Sequence, residues 1–252
     1  MNANEDRAFW QARYRQQVGW TTELRRYALA ASGLPKDARL LEAGCGYGAL
    51  LDALQTDGQS HLTGLDIDFP ALQSISGTAK ALCANGLHLP FPSGVFDACL
   101  CHFYLLWTNN PMQALLEMKR VTRPGGWLFA LAEPDYSARV DEPAELAPLG
   151  ELQTHALLRQ GAHPFIGAHL AALFHNVGLA RIECGILQTA AGEEAPSDEN
   201  HEREWQVLAA DLRGLLNSTE LAYWEALNWR ARRAGTRRLH VPVHYALGQI
   251  PL

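Results

Sequence analysis

Apolar positions recur with two different periods along this chain, and the switch between them marks its architecture. Over residues 5–32, Phe9, Trp10, Tyr14, Val18, Leu24, Tyr27 and Leu29 lie at helical spacing and Ser32-Gly33 supplies a stop, with Gly19 placed to split the helix in two. From Arg39 the apolar runs shorten to strand length. Residues 39–43 predict a strand, Gly44-Cys45-Gly46-Tyr47-Gly48 a tight turn and residues 49–54 the start of a helix, which together open a βαβ unit. Residues 61–66 predict a second strand ending in the carboxylate of Asp66, followed by a helix from Phe69. Further strands are predicted at 79–84, at 96–103 and, after the Arg123-Pro124-Gly125-Gly126 turn, at 126–132. Between the last two, Asn110 as cap, Pro111 at the first helical position and Leu115, Met118 and Val121 on one face mark a helix.

After Glu133-Pro134 the alternation breaks. Residues 134–163 read as an insertion with a helix near 145–159, and 166–177 resumes as a core helix before a sixth strand at 180–187. A polar linker at 192–200, one or two helices over 201–234 and a closing strand at 240–249 complete the pattern. Strand and helix in strict alternation imply a doubly wound α/β fold with a parallel sheet. We expect one domain over 1–252: a helical cap at 1–37, a core at 38–133, a lid insertion at 134–163, and the rest of the core with a helical insertion near 197–235.

Composition changes this picture by exclusion. With 48% hydrophobic and 19% charged residues among 252, the chain can fill a sizeable core and lacks the signature of disorder. A net charge of −6 disfavours nucleic acid as a partner. Five cysteines with no disulfide spacing, most of them in apolar runs, read as reduced core thiols. Glu5, Asp6 and Arg7 precede any apolar stretch, which is unlike a signal peptide, and no run has membrane-span length, so a cytoplasmic monomer or homodimer is expected. Cys99, Cys101 and His102 suggest a metal at first sight. Alternate strand residues face opposite sides and no second Cys/His pair is spaced to help, so no metal is expected.

Ligands of such sheets sit beyond the carboxyl ends of the strands, beside the first βα turn. A three-glycine turn alone is a weak signal. This one, Glu42-x-Gly44-x-Gly46-x-Gly48, has neither the Gly-x-Gly-x-x-Gly of a dinucleotide site nor the Gly-Lys-Ser/Thr of a triphosphate loop. Asp66, an acceptor-only group at the end of the second strand, suits vicinal ribose hydroxyls. The ligand then contains a ribose without needing a pyrophosphate.

Leu41-Glu42-Ala43-Gly44-Cys45-Gly46-Tyr47-Gly48 resembles motif I of the class I S-adenosylmethionine-dependent methyltransferases. Gly64-Leu65-Asp66-Ile67-Asp68, the stretch from Asn85 to Asp97, and the helix and Arg-Pro-Gly-Gly turn ending at Gly126 resemble the family's following segments in order and spacing. The likeness covers about residues 38–133 and is nearest to the branch with small-molecule and quinone methylases. It implies a Rossmann-like, mostly parallel seven-stranded sheet with an antiparallel last strand, and S-adenosylmethionine as cofactor. It further implies that Gly44 and Gly46 lie under the methionine part, Asp66 holds the ribose and Ile67 covers adenine. Gly86 would offer a backbone N–H, Cys101 and His102 would border the methionine, and Tyr14, Glu42, Cys45 and Leu87 would complete the cofactor site. Asn85 replaces the family's usual aspartate, and its amide oxygen can still accept a bond from the adenine amino group.

Methyl transfer from a sulfonium needs alignment and dryness first, and a base only if the acceptor must lose a proton. Glu133, at the end of the fifth strand, is the first candidate for that base or for acceptor binding, against a structural role capping the next turn; His102 is the second, against a hydrogen-bonded wall residue. Trp20, Tyr104, Trp107, Glu133, Tyr136 and His155 are expected around the acceptor, and residues 13–21 are a candidate wall. Trp10 is expected to pack. Strand four ends in Cys101-His102-Phe103-Tyr104 and not in Asn/Asp-Pro-Pro-Tyr/Phe, which disfavours base and glutamine amines. The expected acceptor is a small molecule methylated at O, N or C. A cofactor-binding sensor or assembly protein without catalysis, and a protein or tRNA methyltransferase, are the competing functions.

Overall fold

The apolar strand residues alternate between two helical layers. In this computed structural model, which describes residues 3–187 and 198–252, the elements run as follows. Helices α1 (Ala3–Trp20) and α2 (Thr22–Ala31) precede β1 (Arg39–Ala43), α3 (Ala49–Thr56), β2 (His61–Asp66), α4 (Phe69–Leu72), β3 (Lys80–Cys83) and β4 (Phe96–Cys101). Then come α5 (Pro111–Val121), β5 (Thr122–Pro134), β6 (Val140–Glu142), α6 (Ala147–Arg159), α7 (Ile166–Asn176) and β7 (Ala180–Ile186). Helices α8 (Asp198–Asp211) and α9 (Ser218–Arg233) lead to β8 (Arg238–His240) and β9 (Val243–Gln249).

Seven strands form one sheet in the order β3-β2-β1-β4-β5-β9-β7. Strands β1 to β5 are mutually parallel, and β9 enters antiparallel between β5 and β7. Leu41, Ala43, Cys99, Cys101, Leu128 and Ala130 face a layer built on α5 and α7, through Leu115, Met118, Leu170 and Phe174. Their neighbours Leu40, Ala98, Leu100, Phe129 and Leu131 face α2 and α3, through Leu29, Leu50, Leu51 and Leu54. Both faces are covered, as a parallel sheet requires. The order reverses at β1/β4, where the first strand's neighbours lead off in opposite directions, and this opens a crevice at their carboxyl ends.

Caps fix the ends. The Asn110 carboxamide oxygen accepts the Gln113 N–H ahead of Pro111, and Asn217 with Glu220 forms a capping box on α9. The helical preamble breaks at Thr21, two residues past the expected Gly19, and the 201–234 stretch resolves into two helices. Of the expected 192–200 linker, residues up to 197 lie outside the described residues and Asn200 is already helical. Strand β4 ends at Cys101 and β5 begins at Thr122, so the expected 123–126 turn lies within β5, and the end of the chain differs as well. The closing strand begins at Val243, and residues 238–240 pair instead with β6 in a separate two-stranded antiparallel sheet. Three-residue strands carry too little period-2 signal to be read from sequence.

Residues 146–156 form a separate core with α8 and α9. Leu146, Leu149 and Ala156 pack against Trp205, Leu208 and Leu212 of the α8 segment and Leu227 and Ala231 of α9. The basic run near the end of α9 stitches this unit together: Arg230 pairs with Glu145, Arg238 with Glu142, and buried Arg237 with Asp141 at 2.9 Å. No helix among the described residues is long and apolar enough to cross a membrane.

Candidate functional site

The turn after β1 is held by its own backbone. Gly44 N–H and Cys45 N–H both donate to Leu65 O, at 2.8 and 3.1 Å, and Gly48 N–H donates to Cys45 O at 2.8 Å. Gly46 N–H donates to Asp66 Oδ2 at 2.7 Å, while Asp66 Oδ1 accepts the Asp68 N–H at 2.9 Å. With these donors spent, the loop has little left to cradle a pyrophosphate, and the Asp66 side chain at the end of β2 becomes its main polar feature. Glu42, at the end of β1, is buried, and its Oε2 has no hydrogen-bond partner. Burial first, then Asp66 and Asp52, push the Glu42 carboxyl well above the usual range, against a bond from the Leu51 backbone.

Tyr104 is wedged against this loop. Gly44 has φ +73, and a Cβ there would lie 2.8 Å from Tyr104 Cγ and closer still to Cδ2; a Cβ at Gly86 would lie 3.1 Å from Tyr104 Cζ and closer to the hydroxyl. Gly44→Ala therefore meets two penalties, about 1–2 kcal/mol for a left-handed backbone and about 1–3 kcal/mol for overpacking. The expected result is a clearly lowered melting temperature, with Tyr104→Ala in the same chain restoring only the packing part; full recovery in the double variant would show that the backbone conformation costs nothing.

A cavity of about 810 Å³ opens over the loop. At one end it is lined by Tyr14, Glu42, Gly44, Cys45, Gly46, Asp66, Ile67, Asn85, Gly86 and Leu87, all expected around the cofactor. Ile67 is 74% exposed there, an apolar side chain open to the cavity. Asn85 Oδ1 accepts the Leu87 N–H at 2.9 Å and keeps a second lone pair. Trp20, Tyr104, Trp107 and Tyr136 also line the cavity, and Trp10, expected to pack only, joins them while contacting Phe9 and Tyr14 edge to face or tilted. Trp20 holds its place through the Phe103 ring and the Arg13 guanidinium 4.9 Å above it.

Three expected residues are elsewhere. Glu133 is wholly buried off the cavity: Oε1 accepts the N–H groups of Tyr104 and Leu105 at 3.0 and 2.8 Å, and Oε2 that of Leu106 at 3.0 Å. So placed, the side chain caps the backbone of residues 104–106 and does not line the cavity. Cys101 belongs to the α5/α7 layer, on the same face of β4 as Cys99, and His102 leaves that face because the strand ends before it. His155 is exposed on the outer side of α6, in a shallow concavity with Glu151 and Thr154. His102 does line the cavity, with Nε2 3.4 Å from Thr21 Oγ1. Burial, then Arg25, push its pKa down to about 3, so it is a neutral wall residue and a weak base.

The far end of the cavity holds a polar group that sequence reasoning missed. Arg139 donates to Gln153 Oε1, and Gln153 Nε2 donates to Asp211 Oδ2 at 2.6 Å. Arg139 is itself held by Asp141, which Arg237 pairs from the other side. Gln153 and Asp211 fall on polar faces of predicted helices, where solvent is the ordinary partner; only the α6/α8 packing turns them inward. Among the described residues, no three His, Cys, Asp or Glu side chains are grouped to hold a metal ion.

Comparison with known proteins adds to this geometry. A family model described as a methyltransferase domain matches residues 41–130. An O-methyltransferase, rstn1, of Aspergillus nomiae is 28% identical over 166 residues, covering 62% of this chain and 71% of that protein. A malonyl-[acyl-carrier protein] O-methyltransferase of Pseudescherichia vulneris is 34% identical over 101 residues, which is 39% of this chain and 40% of that protein. Among solved structures, the [4+2]-cyclase SpnF superposes with a TM-score of 0.60 at 19% identity, over 92% of this chain and 81% of that one, a likeness of fold.

Proposed function

We propose that this chain, whose residues 41–130 are a class I S-adenosylmethionine-dependent methyltransferase domain, methylates a small molecule enclosed between that domain and its lid. One observation carries the reading: the cavity joins the Gly44–Gly46 turn and Asp66 to a far end walled by α1, α6 and α8. At about 810 Å³ its volume suits a cofactor with a compact acceptor and leaves little for a macromolecular segment.

The side chains fit the cofactor. The partnerless, buried Oε2 of Glu42 is satisfied by a cation such as the methionine ammonium. Asp66, whose two oxygens each spend one lone pair on the backbone, accepts the ribose hydroxyls with the others. Ile67 covers the adenine face, Asn85 and Gly86 meet its edge, and Tyr14 and Cys45 close the methionine side. When bound, S-adenosylmethionine supplies an activated sulfonium methyl group. The protein supplies alignment and exclusion of water: Trp20, Tyr104, Trp107 and Tyr136 shape the acceptor's approach, and His102 stays neutral in the wall.

Calorimetry with S-adenosylmethionine and its demethylated product tests the cofactor half, and transfer of a labelled methyl group into a metabolite extract tests the acceptor half. Binding in the micromolar range and a labelled small molecule are expected. No heat at millimolar cofactor overturns the reading, and binding without transfer to any small molecule removes the catalytic part.

A further inference from the structure

Asp211 ends α8 with its side chain in the cavity and one oxygen committed. Gln153 Nε2 holds Oδ2, and Oδ1 takes no hydrogen bond from any described residue. The amide cannot flip, because the Arg139 guanidinium occupies Gln153 Oε1. Arg139 is fixed by Asp141, and Asp141 by Arg237, with all three side chains 5% exposed or less. Burying so many charges carries a desolvation cost that a hydrophobic lid core would avoid. Four separate chain segments, 139–141, α6, the end of α8 and residue 237, thus converge to aim one carboxylate oxygen at the acceptor end.

Resting on the function proposed above, we infer that the acceptor carries an ionisable hydroxyl, a phenol or an enol, and that Asp211 takes up its proton during transfer. The hydroxyl oxygen forms the new bond to the methyl carbon, the carbon–sulfur bond breaks with its electron pair left on sulfur, and the proton ends on Asp211 Oδ1. The surroundings select this class. Arg13 from α1 and Arg139 from the lid face the same space and oppose an ammonium. A carboxylate acceptor needs no base and would meet the charge of Asp211. Tyr136, whose pKa burial and then Asp211 push up to about 12, remains an O–H donor beside the site.

The charged and titratable groups around Asp211 are Arg13, Arg139 and Tyr136, with Glu204 and Arg213 also on the cavity wall. Burial raises Asp211 to about 6, against the Gln153 bond and the two arginines. The carboxylate form, competent as a base, is therefore present above that value and is lost as pH falls through it.

The test uses the full chain with S-adenosylmethionine and three probe sets: catechol, 2-naphthol and 4-hydroxycoumarin; phenethylamine and histamine; and benzoate. Methylation of the hydroxyl set alone is expected. On the active probe, Asp211→Asn should lower kcat by about 100-fold, the lower range for loss of a general base, and abolish the fall in rate below about pH 6. Asp211→Glu should recover part of the rate. Product-cofactor affinity, measured by calorimetry, should stay within about twofold in both variants. Preferred methylation of an amine or benzoate, conversion of no probe by a chain that binds cofactor, or a wild-type rate or unchanged acid limb in Asp211→Asn overturns the inference. Failure to bind cofactor at all would instead bring down the proposed function, and this inference with it.

Discussion

Replacing Asp66 by alanine is expected to weaken S-adenosylmethionine binding by about 100-fold or more, read by calorimetry. Hydrogen bonds to a charged group contribute about 1.5–3 kcal/mol each, and about 1.4 kcal/mol is tenfold in affinity. Two ribose hydroxyls lost together therefore reach that factor before any loop effect. The loop effect adds to it, since Asp66 Oδ2 braces Gly46 at 2.7 Å and Oδ1 the Asp68 N–H at 2.9 Å. Asp66→Asn keeps one acceptor oxygen and turns an NH2 towards a backbone donor, so it should fall between wild type and alanine. Because both backbone groups are near the surface and can turn to water, the melting temperature should move far less than the affinity. Wild-type affinity in Asp66→Ala would remove Asp66 from the cofactor site and with it the ribose assignment.

Glu133→Ala is expected to act on stability first. Three N–H groups, of Tyr104, Leu105 and Leu106, converge on the two oxygens of this fully buried side chain. Each buried donor left unsatisfied costs about 1–3 kcal/mol, so a loss of about 3 kcal/mol or more follows, on the order of 10 °C in melting temperature for a chain of this size. The same loop carries Tyr104 against Gly44 and Gly86, so cofactor affinity should weaken as a secondary effect. Glu133→Gln keeps the two donors on one oxygen and should cost less.

Glu133 also has a pH signature. Burial raises its pKa from 4.5 to about 7, against the three backbone donors. A folded-state pKa above the unfolded one means the native chain binds more protons between those values, so this group's stabilising contribution is complete below about 4.5 and is lost as pH rises through about 7. The stability difference between wild type and Glu133→Gln should accordingly shift towards the variant from about pH 5 to about pH 8. A difference independent of pH would show that Glu133 is ionised throughout, and turnover by an otherwise stable Glu133→Gln chain would agree with its position off the cavity.

Much of this protein follows from its sequence because the decisive interactions are local. Residues 39–66 contain a buried strand, a glycine turn and a second strand whose boundaries coincide with the observed ones, since short apolar runs bounded by glycines permit few other conformations. Asn110-Pro111 fixed the start of α5 for the same reason: cap and first-turn proline act within four residues. The resemblance to methyltransferase motifs lay in that region too, and the matching family model spans residues 41–130 of it.

What the sequence left open depends on parity, burial and contacts across long separations. Cys101 and His102 are adjacent, and one enters the core while the other lines the cavity because the strand ends between them. Glu133, at a strand end, suited a base and a turn cap alike in sequence, and only the fold of residues 104–106 shows three donors converging on it. Asp211 had no signal at all, being one acidic residue on a polar helix face until Gln153, 58 positions earlier, and the Arg139–Asp141–Arg237 chain turned it inward. The sequence by itself determined the Gly44–Gly46 turn and the Asp66 strand terminus that line one end of the cavity, since both are encoded within some twenty-five residues. The tertiary structure alone decided the other end, since its walls come from α1, α6 and α8 and exist only once those distant segments pack.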